Sequence, residues 1–285
     1  STSQDLLAYE VMRADAQALE VWVRVPSIPA GSTDTHIWLY FDNPGAPLRD
    51  NPAAVWSNGY AGVWHLEQEP VGGGAVLDSL GVHHGTAAGN MQPEDLVRGQ
   101  VGGALDFDGS NDTIDVGDLG TDSWTELTLE VWFNQHSVGT DPRLICEATG
   151  TSNSEHTFCL LAMGSSMHAR INTEDSGYST MTSTRSMSTG TWTHGAMTWS
   201  AASARLELYT NGVHDTGQHK GGTSLRDSPQ HIYLANNNSR DSRWYDGLMD
   251  EVRISSVARS ADWVRAQHLT TTGAFVTVGT VEQRP

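Results

Sequence analysis

The chain has 285 residues, 38% hydrophobic with 29 glycines, and a formal charge of −18 at neutral pH. That composition belongs to a turn-rich folded protein rather than a disordered one. The charge repels nucleic acid phosphates, so no nucleic acid partner is expected, and no run of about 18 apolar residues supports membrane insertion.

From the N-terminus, STSQDLLAYEVMRAD reads as the middle of something, a fragment or a processed chain, with no signal peptide recognisable. ALEVWVRVPSI alternates and places Leu19, Val21, Val23 and Val25 on one strand face, with Trp22 opposite. HIWLYFDNP does the same with Ile37, Leu39 and Phe41, leaving Trp38 opposite. Both tryptophans are candidates to sit between a small N-terminal unit and a larger β domain. DNPGAPLRDNPAAVWSNG, rich in proline, asparagine and aspartate, reads as the connection between the two. The predicted division is a small β unit at 1–58 and a larger β domain at 59–285.

In the larger part, ALDFDGSNDTIDV predicts two strands around a glycine turn with Asx bonding. Leu105, Phe107, Ile114 and Val116 point inward. An EF-hand reading of DFDGSND fails, because the glycine and glutamate positions of that loop are not met. LTLEVWFN buries Leu127, Leu129, Val131 and Phe133, and Trp64, Trp132 and Trp199 read as core. LICEATGTSNSEHTFCLL predicts two strands joined by a polar loop; Cys146 and Cys159 form either a cross-strand disulfide or two buried thiols. Metal binding by this pair alone is not expected, since zinc sites usually take four ligands. ARLELYTNGVHDTG is a hairpin whose Asn211-Gly212 supplies the positive φ angles of a type I′ turn. In DGLMDEVRIS, strict alternation sets Asp250 in a row with Leu248, Val252 and Ile254. The best helix is SADWVRAQHL, with Ser260 as N-cap and Asp262 in its first turn. Many short strands between turns imply an all-β sandwich or barrel.

GVWHLEQ, VLDSLGVHHGTA, GGALDFDGSNDTIDVGD, LTLEVWF, HGAMTWSAASARLELYTNGV, IYLAN and YDGLMDEVRISSVARSADW occur in that order. From about Gly62 to His268 the chain thereby resembles the laminin-G-like branch of the concanavalin A-like lectin/glucanase superfamily. WLYFDNP leading into AVWSNGYAGVWHL resembles a bacterial domain of unknown function found in exported and surface proteins. The resemblance implies an antiparallel two-sheet jelly roll, often with a calcium ion at the sandwich edge. It pairs Asp250 with Asp78 as ligands, completed by carbonyls for which Gly81, His83 and Gly85 are owners, and by water. Leu80 and Val82 depart from the family loop, which usually reads Asp-Ser-Ser-Gly followed by Asn and Gly. The alternative is that Asp250 bonds loop amides or pairs with Arg253 or Arg259. Glu67 is a weaker candidate ligand.

The glucanase branch carries a Glu-x-Asp-x-x-Glu strand; here the acids of Thr173–Asp175 and the pair Asp250-Glu251 are adjacent and point apart. The lyase branch's Gln-x-His and Lys-Ala-Gly-x-Tyr-x-Gln strands are not found either. His168 and Arg170 share a strand face and, with His194, form the best catalytic constellation. No Gly-x-Ser-x-Gly elbow accompanies them. The loop NNNSRDSRWYDG is the best ligand candidate: Asn237, Arg240, Arg243, Trp244 and Tyr245 combine aromatic faces with planar donors suited to a glycan, including an acidic one. Tyr178 marks a second, lesser loop. The expectation is a non-catalytic, calcium-stabilised, lectin-like module of an exported bacterial protein, at the surface, in the periplasm or outside the cell, that binds carbohydrate, a surface glycoconjugate or another cell-surface partner. A purely structural spacer and a polysaccharide lyase or glycosidase are the alternatives. Oligomeric state is not legible.

Overall fold

The computed structural model describes residues 6–14, 18–29, 31, 35–41, 45, 47, 49–71, 75–237 and 243–281. The chain divides into two compact units, Ser1–Asn58 and Gly59–Pro285.

In the first unit, β1 (Tyr9–Ala14) pairs antiparallel with β2 (Leu19–Val23), and α1 (Pro52–Val55) comes next, capped by the Asn51 side chain. The face predicted to be inward is not the better covered one. Trp22 is buried edge-on against Trp56 at 5.4 Å, while Leu19 is exposed. Glu10, the cross-strand partner of Trp22, accepts the Trp56 indole N–H at 2.5 Å. Trp22 thus packs within its own unit, because an indole buries more area than any residue of the aliphatic row and its partner Trp56 brings a donor for Glu10. Residues 37–41 form no strand, and their apolar side chains, Trp38 included, are exposed.

The second unit is a sandwich of two antiparallel sheets. Its strands are β3 (Tyr60–Trp64), β4 (Thr86–Ala88), β5 (Leu96–Arg98), β6 (Gly103–Asp108), β7 (Thr113–Gly117), β8 (Glu126–Gln135) and β9 (Arg143–Ala148). They continue as β10 (His156–Met163), β11 (Ser166–Thr173), β12 (Gly177–Thr182), β13 (Thr193–Ser200), β14 (Arg205–Thr210), β15 (Val213–His219), β16 (Ile232–Leu234) and β17 (Asp246–Ser255). The seven-stranded sheet runs β12-β11-β10-β9-β16-β7-β4, and the eight-stranded sheet runs β15-β14-β13-β8-β17-β6-β5 with β3 also on β17. Core positions alternate along each strand as anticipated: Leu105, Phe107, Ile114, Val116, Leu127, Leu129, Val131 and Phe133 all meet between the sheets. β6 and β7 are not a hairpin, however; they belong to opposite sheets, and the DGSND turn carries the chain across the sandwich. Asp108 accepts the amides of Ser110 and Asn111 within that turn.

The β14–β15 hairpin turns on Asn211 and Gly212 with φ of 51° and 71°, as a type I′ turn requires. Helix α2 (Ala261–Thr271) starts at Ser260, whose hydroxyl accepts the Trp263 amide at 3.2 Å. It covers the outer face of the eight-stranded sheet: Trp132 donates its indole N–H to Thr271 and stacks on His268. Trp132 is therefore buried beneath a helix, not between the sheets as Trp64 and Trp199 are.

Candidate functional site

Three places concern function: the corner holding Asp78, the break in β17 at Asp250, and the loop rim beside Trp244.

Asp78 lies in the loop between β3 and β4 and is buried. Its Oδ1 accepts the amides of Val63 and Leu80, and its Oδ2 those of Val82 and His83, at 2.9–3.1 Å. Four donors match the roughly four acceptor sites of a carboxylate, so backbone dipoles hold this charge. The carbonyls around it are engaged as well: His83 accepts the Trp64 indole N–H, and Gly85 and Val76 exchange both backbone bonds. Gly81 stands at φ 75° and donates to the Asp78 carbonyl. At Gly85 a Cβ would come within 2.5 Å of Ile114, so the residue is there for close packing.

Asp250 is different. The alternation that put it in a core row is interrupted: Glu251 has φ 53°, and the pairing of β17 with β8 slips between Asp250 and Arg253. A bulge inserts one residue and reverses the phase of the strand. The core row is Met249, Val252 and Ile254, and Asp250 sits on the outer face with the half-buried Leu248. At the same point β17 changes neighbours, pairing with β6 up to Met249 and with β3 from Val252 onward. Asp250 therefore occupies the gap between the end of β3 and the start of β6. Its Oδ2 accepts the Val101 amide at 2.8 Å; its Oδ1 is buried without a hydrogen-bond partner. Burial first, then the charge of Glu251, raises its pKa well above the carboxylate range, and Glu67 adds in the same direction. Glu251 itself is tied to His65 at 2.6 Å and to Arg253. Burial works against its ionisation, but these two partners outweigh it and hold its pKa low. Of the alternative reading, the loop-amide bond is present at Val101, whereas the pairing with Arg253 is taken by Glu251.

The rim is built by three connections, β6–β7, β8–β9 and β16–β17. Asp108, Gly109, Ser137, Gly139, Thr140, Asp141, Pro142, Trp244 and Asp246 line a cavity of about 250 Å³ there. Asp108 and Asp246 are cross-strand partners in β6 and β17. Arg143, Arg170 and Arg243 surround Asp141, with Arg170 bidentate at 2.9 and 3.3 Å and Arg243 Nε at 3.5 Å. Burial alone lifts the Asp141 carboxyl, but Arg143 and Arg170 outweigh it and leave the pKa lowered. Trp244, half-buried, supplies an aromatic face among these acids.

Of the loop residues expected to bind a ligand, Trp244 lines this cavity and Arg243 stands behind it on Asp141. Tyr245 belongs to the core, 1% exposed, edge-on to Phe107 and donating its hydroxyl to the Leu248 carbonyl. Its amide bonds the Ala235 carbonyl and closes the loop, which pulls the ring inward. Asn237 is fully buried and donates to the Gly150 carbonyl, a strut rather than a contact surface. Arg240 lies outside the described residues. Asp246 lies within the expected loop, two residues after Trp244, whereas Asp108 and Asp141 were missed as its companions.

The three residues that formed the best catalytic candidates are split. His168 and Arg170 lie on β11 of the seven-stranded sheet, whereas His194 lies on β13 of the other, beneath α2 beside Trp132 and His268. Burial, then His268 and Arg253, pushes the His194 pKa down to about 3, so its imidazole is neutral at physiological pH.

Cys146 and Cys159, direct partners in β9 and β10, are joined as a disulfide. No described helix is long and apolar enough to cross a membrane.

The profile of the Concanavalin A-like lectin/glucanases superfamily matches residues 108–265, and that of a Domain of unknown function (DUF2341) matches residues 1–64. No curated protein matches the chain. Among solved structures, domain 4 of an extracellular GH43 arabinanase from Geobacillus stearothermophilus, in complex with arabinotriose, aligns at 17% identity and a TM-score of 0.56, covering 72% of this chain and 96% of that one. The binding domain of Paraclostridial Mosquitocidal Protein 1 aligns at 13% identity and a TM-score of 0.57, covering 75% of this chain and 53% of that one. Trypanosoma rangeli sialidase, in complex with 2,3-difluorosialic acid, aligns at 13% identity and a TM-score of 0.53, covering 74% of this chain and 33% of that one. At such identities the likeness shows a shared fold.

Proposed function

The chain belongs to the concanavalin A-like lectin/glucanase superfamily, and from that premise we propose that it is a non-catalytic, lectin-like module that binds a neutral glycan at the Trp244 rim. The carrying observation is the cavity that Trp244 shares with the carboxylates of Asp108, Asp141 and Asp246. Sugar C–H faces pack on indole, and carboxylates accept sugar hydroxyls in charge-assisted bonds. Asp108 and Asp246 disfavour an acidic glycan, while the charge of Asp141 is offset by Arg143, Arg170 and Arg243. The glycan-bound arabinanase domain of the same fold supports a sugar ligand. The placement of His194 in the other sheet from His168 and Arg170 supports a binding rather than a catalytic role for that set.

Calcium enters this reading as a stabiliser. Asp250 fits a cation, because its buried Oδ1 faces no donor. The Asp78 carboxylate does not, since donors already occupy both of its oxygens. Asp250 and Glu67 are the side chains that would hold the ion. It would add positive charge beside Asp250, against the charges of Glu251 and Glu67 that act on it. The disulfide supports a location outside the reducing cytoplasm, exported or at a cell surface.

The test is calorimetric titration with a panel of neutral and acidic oligosaccharides, assayed in parallel for new reducing ends. A neutral binder whose affinity falls about tenfold or more in Trp244→Ala, with the melting curve preserved, is the expected result. A binder indifferent to Trp244→Ala moves the site elsewhere. A stable fold that binds nothing favours a spacer, and bond cleavage restores the enzyme.

A further inference from the structure

The β9–β10 hairpin gathers three metal-ligating side chains in one buried place. Cys146 and Cys159 face each other across the ladder with Cα atoms 4.2 Å apart. His156 begins β10, three residues before Cys159. The pairing shifts between His156 and Phe158, which changes the face His156 presents. Both Sγ atoms and a ring nitrogen of His156 lie within 4.8 Å of one another. All three residues are buried, His156 at 1% exposure, and neither of its ring nitrogens has a well-formed hydrogen bond, although the Asn153 backbone makes a polar approach to the ring. A buried polar group without its full hydrogen bonding is costly. An imidazole left so beside two sulfurs points to a ligand that all three can share.

We propose that the dithiol form of this hairpin is a soft-cation site, with Cys146, Cys159 and His156 as ligands to one zinc-type ion, and that the disulfide is its closed state. Zinc takes sulfur at about 2.3 Å and imidazole nitrogen at about 2.0–2.1 Å, so ligands around one ion stand roughly 3.5–4 Å apart. Reaching that range takes separation of the two sulfurs on reduction and rotation of His156 toward them. Three protein ligands leave a fourth position for water. Two thiolates balance a divalent ion, and burial followed by the nearby charges of Arg143 and Arg170, themselves paired with Asp141, keeps the His156 imidazole neutral as a ligand must be. Calcium, which takes oxygen ligands, does not compete for it.

Opening the site consumes two electrons and two protons. A water-soluble phosphine supplies the electrons and is oxidised, with one water, to its phosphine oxide; the water's two protons protonate the sulfurs. Metal binding then releases the two thiol protons to solvent.

The experiment reduces the full chain anaerobically with the phosphine, removes the reagent, and titrates with Co²⁺ and then Zn²⁺. One equivalent of Co²⁺ is expected to give a thiolate-to-cobalt charge-transfer band that Zn²⁺ abolishes, with the β-sheet circular dichroism retained. The oxidised protein is expected to give no band. His156→Ala is expected to weaken Co²⁺ binding about a hundredfold or more, since losing even an outer-shell partner costs ~10–100-fold. His156→Gln keeps most of the side-chain volume and serves if the alanine variant does not fold. A reduced, folded protein with no band, equal affinity in the His156 variants, or a disulfide that opens only when the chain unfolds, each overturns the proposal.

Discussion

Asp78 and Asp250 are both buried acids of the same sandwich, and they meet burial in opposite ways. Asp78 is wrapped by a loop that aims four amides at its two oxygens. Asp250 stands where β17 changes partners, with one amide on one oxygen and nothing on the other. The first charge is paid for by backbone dipoles inside the fold; the second needs a proton or a cation from outside. Burial therefore says little about metal binding until the donors around each oxygen are counted.

The contrast yields four expectations, the largest first. Asp78→Ala strips the acceptor from four amides and should cost about 3 kcal/mol or more in urea unfolding, with or without calcium; a loss below about 1 kcal/mol would erase the contrast. Asp250→Asn should abolish the rise in melting temperature that calcium gives the parent chain by linkage, and a chelator should then leave the curve in place.

The pH dependence is next in size. The unfolded aspartate loses its proton in the ordinary carboxylate range, whereas folded Asp250 keeps its proton to higher pH. Between the two values the native state binds more protons, so this group makes metal-free stability fall as pH rises through that window. Melting curves without calcium, compared between the parent and Asp250→Asn, should show a steeper fall in the parent, and calcium should raise the parent's melting temperature more at the upper end of the window. Equal slopes would contradict the assignment. Smallest is Glu67→Gln, which removes a nearby negative charge. It should weaken calcium by a few fold in a titration while leaving the metal-free melting temperature within about 2 °C.

Much of the sandwich was legible because alternation and turn chemistry are local. Asn211-Gly212 fixes its hairpin whatever surrounds it, and Leu127 through Phe133 can face only one way once the strand is set. The order of segments carried the superfamily. What stayed hidden depends on partners distant in sequence. Nothing in DGLMDEVRIS announces a bulge, because Glu251 adopts φ 53° only where the strand passes from β6 to β3. Strict alternation was extended through it, which placed Asp250 on the wrong face. Trp244 was legible as an aromatic in a polar loop that also holds Asp246, but Asp108 and Asp141 come from two other connections. Tyr245, one residue on, was drawn inward by the Ala235–Tyr245 backbone bond. His156 gave no signal of its own, since its nearness to the cysteines comes from a register shift.

The central claim is that Asp250, not Asp78, is the acid that takes a cation. Calorimetric titration of calcium into the parent chain, Asp250→Asn and Asp78→Asn tests it most directly, repeated in buffers of different ionisation heat to count protons. The account predicts one calcium per chain with proton release in the parent, the same binding in folded Asp78→Asn, and none in Asp250→Asn. Calcium that binds Asp250→Asn undiminished, or that is lost only in Asp78→Asn, would contradict it.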